Sequence, residues 1–284
     1  MEKTLVIILS ETRAHELTFE NIKEHLLDPL QADLCVCIGV RSDYDASNPF
    51  YTHAKYKFLY PEPDDYATAF DEAYKESGAD GLPWREFLKI KDQFLGGIKD
   101  PEHEHPGSAA ILLFFRWFLR KNLETIWHYD RFIITRSDFI YQIPHAPLEY
   151  MDPKYIWIPD CEGYEGYTDR HAVLSKDNIH MYLNILDSLF SRSHEYYEEM
   201  KRKNDWNLER LIKFHLDKNG VIVKEFPYVM YSVRSENGTT RWSPGEYSSQ
   251  HGYYIKYSTE YEKSSYYRSI YTDQFYTHYF QRCP

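Results

Sequence analysis

The chain has 284 residues, with 33 Lys and Arg against 44 Asp and Glu, a formal charge of −11. This length allows one large or two small domains with a well-buried core. The acidity argues against nonspecific binding to nucleic acid or to anionic membranes. The four cysteines, Cys35, Cys37, Cys161 and Cys283, form no CxxC pair. A zinc site or disulfide scaffold is therefore disfavoured, and free thiols in a reducing compartment are expected. The apolar run at the N-terminus is too short for a signal peptide. The longest apolar segment, Ala109 to Phe115, is cut by Arg116, short of the ~20 residues of a membrane span. The expectation is a cytoplasmic protein without a membrane span.

Leu5 to Leu9 is a continuous apolar run, as a strand covered on both faces requires. Ile22, Leu26, Leu27 and Leu30 follow at helical spacing, and Leu34 to Val40 is a second buried run. This predicts a βαβ unit with a right-handed crossover. Tyr56 to Tyr60 predicts a third strand, and helices are expected over 67–76 and over 84–95, the latter closed by Gly96-Gly97. His103 and His105, between two prolines, read as exposed loop residues. A buried helix is expected over 109–126, with Ser108 as its N-cap. Free amides at such a helix end attract anions, so Gly107 and Ser108 either touch a phosphate or sugar hydroxyl or simply cap the helix.

Phe132 to Ile134 is a short buried strand that delivers Arg136, Ser137 and Asp138 to its C-terminal end. In open α/β sheets ligands bind at that edge. Ser10 to Arg13 follows the first strand at the same edge. Arg13 there either pairs with a phosphate, whose oxygens suit a guanidinium, or is a solvated surface residue. Tyr155 to Pro159 is another strand, followed by Asp160 to Arg170, a loop with two glycines, two tyrosines and several acids. Such a loop suits a polar ligand: glycine permits close approach, tyrosine stacks and carboxylates accept from hydroxyls. Helices are expected over 175–190, 195–203 and 207–216, and strands over 221–223 and 228–233. Asn237-Gly238-Thr239 is a formal glycosylation sequon that reads as a turn. The last 38 residues hold ten of the 27 tyrosines, too aromatic for a disordered tail. They are expected to wrap the core or to form part of an acceptor groove. The fold class that emerges is α/β, with a central, mostly parallel sheet flanked by helices.

The chain has no GxxxxGK[ST], no GxSxG and no GxGxxG after its first strand, which disfavours a P-loop, an α/β-hydrolase and a dinucleotide fold. Four stretches carry a resemblance: Val-Ile-Ile-Leu-Ser-Glu-Thr-Arg at 6–13, Tyr-Asp-Arg-Phe-Ile-Ile-Thr-Arg-Ser-Asp-Phe at 129–139, Ile-Trp-Ile-Pro at 156–159 with Gly-Tyr-Thr-Asp-Arg-His-Ala-Val after it, and Phe-Pro-Tyr-Val-Met-Tyr-Ser-Val-Arg at 226–234. In order and spacing they resemble the GT-A glycosyltransferases encoded by large DNA viruses, notably chloroviruses, and by bacterial polysaccharide clusters. The resemblance implies a transferase domain over 1–245, with 246–284 as a tyrosine-rich extension packed on it. It also implies a nucleotide-sugar donor, such as UDP-xylose or UDP-glucose, and a glycan acceptor. If the origin is viral, the compartment is the host cytoplasm.

In that family an acidic DxD-like motif holds Mn²⁺ or Mg²⁺, which holds the donor diphosphate. Here Arg136-Ser137-Asp138 keeps only the last acid, so Asp138 would be the metal ligand, with waters and diphosphate oxygens completing the shell. The other account of Asp138 is a buried ion pair with Arg136 or Arg131. Ser10, Arg13, Gly107, Ser108, Arg136, Ser137, Arg170 and Arg234 are the residues implied for nucleotide-sugar binding. An inverting transferase needs a base for the acceptor hydroxyl. Asp169 is the first candidate, with binding of donor sugar hydroxyls as its other role. Glu209 is the second, and a helix-surface charge is its simpler account. Two other functions compete: a nucleotidyltransferase making nucleotide sugars, and a noncatalytic carbohydrate-binding protein. Oligomeric state is not legible from the sequence.

Overall fold

The computed structural model describes residues 2–90, 94–102, 105, 107–161, 163–236 and 245–282. His103, the 237–239 sequon and Cys283 lie outside them. The described strands are β1 (Thr4–Ser10), β2 (Asp33–Val40), β3 (Tyr56–Pro61), β4 (Arg131–Thr135), β5 (Phe139–Tyr141), β6 (Ile156–Pro159), β7 (Ala172–Ser175), β8 (Val223–Phe226), β9 (Met230–Arg234), β10 (Glu246–Ser248) and β11 (Tyr253–Ile255).

Seven strands form the main sheet in the order β3-β2-β1-β4-β7-β6-β8, and only β7 runs against the others. The fold is thus α/β with a mostly parallel central sheet. Side chains alternate across it. Leu5, Ile7, Leu9, Phe132 and Ile134 enter one apolar core; Val6, Ile8 and Ile133 enter the other. Both faces are covered, which is why these strands read as unbroken apolar runs. Cys35 and Cys37 are buried free thiols in the first core.

The chain lays β2 and β3 on one side of β1, then returns to place β4 on the other side. The carboxyl ends of β1 and β4 therefore flank the point where strand order reverses, the place where open sheets bind ligands. Because β7 is reversed, the residues just before it, 169–171, reach this same edge.

Several local expectations change: the strand expected over 221–223 forms over Val223–Phe226, and the helix expected over 175–190 is two, Lys176–Leu183 and Ile185–Ser191. The segment after Pro83 forms only a 3₁₀ turn, Trp84–Lys89; Trp84, Phe87 and Leu88 enter the core at a spacing of three to four residues, which a short tight helix satisfies. The helix Ala109–Lys121 is separated from Leu123–Ile126 at Asn122, whose Nδ2 donates to the Phe118 carbonyl at 2.8 Å. Ser108 precedes the first of these helices without making a side-chain cap. By contrast, Ser175 and Asn178 form a reciprocal capping box at the start of Lys176–Leu183.

A second, antiparallel sheet runs β10-β11-β9-β5. It ties the C-terminal extension to the body of the molecule. Helices Ser258–Ser269 and Phe275–Arg282 follow, and Tyr267, Phe275 and Tyr276 bury in the core with Tyr141 and Trp157. Among the described residues no helix is long and apolar enough to cross a membrane.

Candidate functional site

A cavity of about 340 Å³ opens at the carboxyl edge, lined by Gly107, Ser108, Arg136, Tyr164, Asp169, Arg170, Glu209, Lys256 and Tyr257 among others. Its volume is in the range of small-ligand pockets. A smaller recess, about 60 Å³, shares Ser108, Arg136 and Asp169 with it and adds Glu11, Arg13, Ser137 and Asp138. Six separate stretches of the chain thus meet at one place.

The turn after β1 is fastened to the turn after β4. Ser137 Oγ accepts from the Arg13 backbone N–H at 2.7 Å and lies 3.0 Å from the Glu11 carbonyl, to which it donates. Ala14 takes a left-handed conformation, φ 50°, as the chain enters the helix His15–Ile22. Ser137 is therefore a structural clasp between the two loops. The Arg13 guanidinium, half exposed, pairs with Glu11 at the recess. Ser10 closes β1 at this edge.

Asp138 is 3 % exposed. Both of its oxygens are engaged by one guanidinium: Arg136 Nε to Oδ1 at 2.7 Å and Nη2 to Oδ2 at 2.6 Å. Burial alone would raise the carboxyl pKa, but Arg136, with Lys256 and Arg13 farther off, holds it well below the usual carboxylate range. The side chains present do not fit a divalent ion on Asp138. An ion there would have to displace a bidentate guanidinium from both oxygens. The other account of Asp138, an ion pair with Arg136, is the arrangement seen.

Arg170 is buried and held on three sides. Nη1 donates to Glu260, Nη2 to the Tyr164 hydroxyl at 3.2 Å, and its guanidinium lies 4.4 Å from the Tyr257 ring centre. Glu260, 1 % exposed, also accepts from Ser232 N–H at 2.8 Å and Ser232 Oγ at 2.7 Å. Lys256 is 7 % exposed, and its backbone N–H donates to the Ser232 carbonyl at 2.9 Å. Burial, with Arg136, Arg170 and Arg234 nearby, pushes its ammonium down to about 6 even though Asp138 acts the other way. Arg234 stands behind this group, with its Nε buried and without a hydrogen bond.

Asp169, whose Oδ1 lies 3.9 Å from Arg170 Nε, and Glu209 share the lining of this cavity. Glu209 sits in the first turn of the helix Leu208–Lys218, capped by Asn207. Burial, reinforced by the charge of Asp169, pushes the Glu209 carboxyl up to about 7. Gly166 explains how the loop comes so near. A Cβ there would lie 2.1 Å from the Glu209 carbonyl carbon and oxygen, so only glycine lets this loop rest on that helix start. The Tyr167 N–H donates to the Glu209 carbonyl at 3.0 Å, and Asn207 Nδ2 to the Tyr164 carbonyl at 3.1 Å.

Arg116, the residue that interrupts the apolar run, is fully buried and donates to the Asp169 carbonyl at 3.1 Å and to the Tyr182 hydroxyl at 3.3 Å. It fixes the backbone of Asp169. Arg116, Lys256, Tyr257 and Glu260 are absent from the residues implied by sequence. Arg116 carried a legible signal, a cation inside a helix otherwise suited to burial; Lys256 and Glu260 lie in a stretch with no motif. Of the expected residues, Gly107, Ser108, Arg136, Asp169, Arg170 and Glu209 line the main cavity, and Arg13, Ser137 and Asp138 line the recess beside it. His105, expected to be exposed, is buried with its Nε2 3.3 Å from Asp100.

No protein-family model matches the chain, and no curated protein matches it. Among solved structures it resembles apo mouse xyloside xylosyltransferase 1, with a TM-score of 0.42 and 8 % identity over 80 % of this chain and 85 % of that one. A likeness this loose assigns no role to any residue.

Proposed function

We propose that this chain is a glycosyltransferase that moves a sugar from a nucleoside-diphosphate donor to a hydroxyl of a glycan acceptor. The observation that carries this reading is the cavity itself: it gathers Arg136, Arg170 and Lys256 with two carboxylates, Asp169 and Glu209, and Asp169 lies 3.9 Å from Arg170. Inverting transfer of a glycosyl group needs both kinds of group. Negative charge develops on the departing diphosphate, and preorganised cations stabilise it. The acceptor hydroxyl must lose its proton, and a carboxylate with a pKa near neutrality is suited to take it.

In the reaction, the acceptor oxygen forms a bond to the anomeric carbon as the bond from that carbon to the diphosphate oxygen breaks. The electron pair of the broken bond leaves on the diphosphate. The hydroxyl proton passes to Glu209, and Asp169 fixes donor or acceptor hydroxyls beside it. Tyr164 and Tyr257, at the rim, offer ring faces to a sugar. A UDP-sugar is the donor tested first.

The test is a transfer assay with UDP-, GDP-, CDP- and ADP-sugars against a set of soluble monosaccharide and disaccharide acceptors, read as free nucleoside diphosphate and as glycoside product. Acceptor-dependent release of one diphosphate supports the reading. Cleavage of nucleoside triphosphates in its place, with pyrophosphate released, would assign the site to nucleotide-sugar synthesis.

A further inference from the structure

We infer that the diphosphate of the donor is neutralised in this cavity by side chains alone, Arg13, Arg136, Arg170 and Lys256, with no divalent ion bridging it to Asp138. This rests on the reading of the cavity as a nucleoside-diphosphate site.

Three observations lead here. First, Asp138 has no oxygen to offer an ion, since the Arg136 fork takes both, at 2.7 and 2.6 Å. Arg136 already stands where a metal on Asp138 would, and its Nη1 lies outside the fork. Second, the neighbours of that pair are cations drawn from separate parts of the chain: Arg13 from the turn after β1, Arg170 from the turn before β7, Arg234 from the end of β9, and Lys256 from beyond β11. The anions beside them are Glu11, paired with Arg13, Asp138, paired with Arg136, and Asp169, with Glu260 behind Arg170 and Glu209 on the same cavity lining. An entering anion adds counter-charge beside Lys256, as Asp138 does, and it can share Arg136 without breaking the Asp138 pair. Third, the cations are braced: Arg170 is held by Glu260, Tyr164 and Tyr257, and Lys256 is pinned by its own N–H to β9. Preorganised guanidinium and ammonium donors bind phosphate oxygens strongly.

The experiment measures binding of UDP, GDP, CDP and ADP to the full chain by titration calorimetry, in EDTA and again with Mn²⁺. The expected result is that one of these binds in EDTA with a Kd within about twofold of its value with Mn²⁺. Lys256→Met should weaken that binding roughly tenfold or more, the scale of losing one charge-assisted hydrogen bond, and Lys256→Arg should restore part of it. Circular dichroism and a urea melt establish that both variants fold. Binding seen only with Mn²⁺, abolished by Asp138→Asn and indifferent to Lys256→Met, would overturn this inference and leave the sugar-transfer reading standing. No binding of any diphosphate in either condition would overturn both.

Discussion

At the β4 end of the cavity Asp138 meets a guanidinium through both oxygens, and its carboxyl lies well below the usual range. At the start of the helix Leu208–Lys218, Glu209 meets another acid, Asp169, and is pushed up to about 7. The two acids share one cavity edge and have opposite protonation chemistry. The difference lies in what the chain brings beside each: for Asp138 an arginine two residues away, for Glu209 a glycine-bearing loop that carries a second carboxylate in close. An acid matched by a cation is set for structure; an acid crowded by another acid is set to exchange a proton.

Substitutions can break this contrast. Glu209→Gln should lower kcat by about 10²- to 10⁴-fold, the usual worth of a positioned base, with diphosphate affinity kept. A loss of affinity with kcat intact would move Glu209 from proton transfer to binding. Asp138→Ala should cost about 3–5 kcal/mol in a urea melt, because it strands a largely buried Arg136; unchanged stability would mean that the pair is not a structural lock. Gly166→Ala should force the loop off Glu209 and reduce kcat by about 100-fold, the cost of misplacing a reacting group by about an ångström, while Gly78→Ala, at a helix end where a Cβ has open space but φ is +63°, should affect stability alone.

Two pH effects follow, each smaller. Lys256 is pushed down to about 6, so it is largely uncharged in the empty cavity at pH 8, and diphosphate affinity should fall between pH 6 and 8; a flat profile would remove Lys256 from the receptor. Beneath the site His145 and His171 are buried, Nε2 to Nε2 at 3.2 Å, with His171 Nδ1 3.0 Å from Thr135 Oγ1. Burial pushes His145 down to about 4 and His171 well below its ordinary value. Below pH 6.5 the unfolded chain takes up protons that the folded chain refuses, so stability should drop as pH falls from 6.5 towards 4. At pH 5 each imidazole should contribute about 1–2 kcal/mol of that loss, read from melts at pH 7 and 5.

The sheet was legible because burial on both faces leaves a plain trace: Leu5–Leu9, Leu34–Val40 and Phe132–Ile134 are uninterrupted apolar runs, and their order gave the parallel strands. The placement of Arg13 and Arg136 at one edge followed from strands that end there, whereas Arg170 reaches it just before the reversed β7. The reversal of β7 was not legible, since a four-residue run carries no direction. Nor was the partner of Asp138 decided: an acid two residues from an arginine is compatible with an ion pair or with a shared ligand, and only side-chain geometry separates them. Lys256 and Glu260 come from a stretch without period or motif, and their role depends on where the antiparallel β9–β11 pairing puts them. The extension wraps the core, with Tyr267, Phe275 and Tyr276 buried, and it also sends Lys256 and Tyr257 to the cavity lining.

That last arrangement bears on how the molecule is made. Ribosomal synthesis delivers Arg13, Arg136 and Arg170 in turn, but the acid that steadies Arg170 arrives only at residue 260. A nascent polypeptide halted before that point would own a nearly finished sheet and an arginine without its buried counter-ion. A stop codon placed between residues 245 and 260 should therefore leave Arg170 without that acid, however much of the α/β body has already been translated.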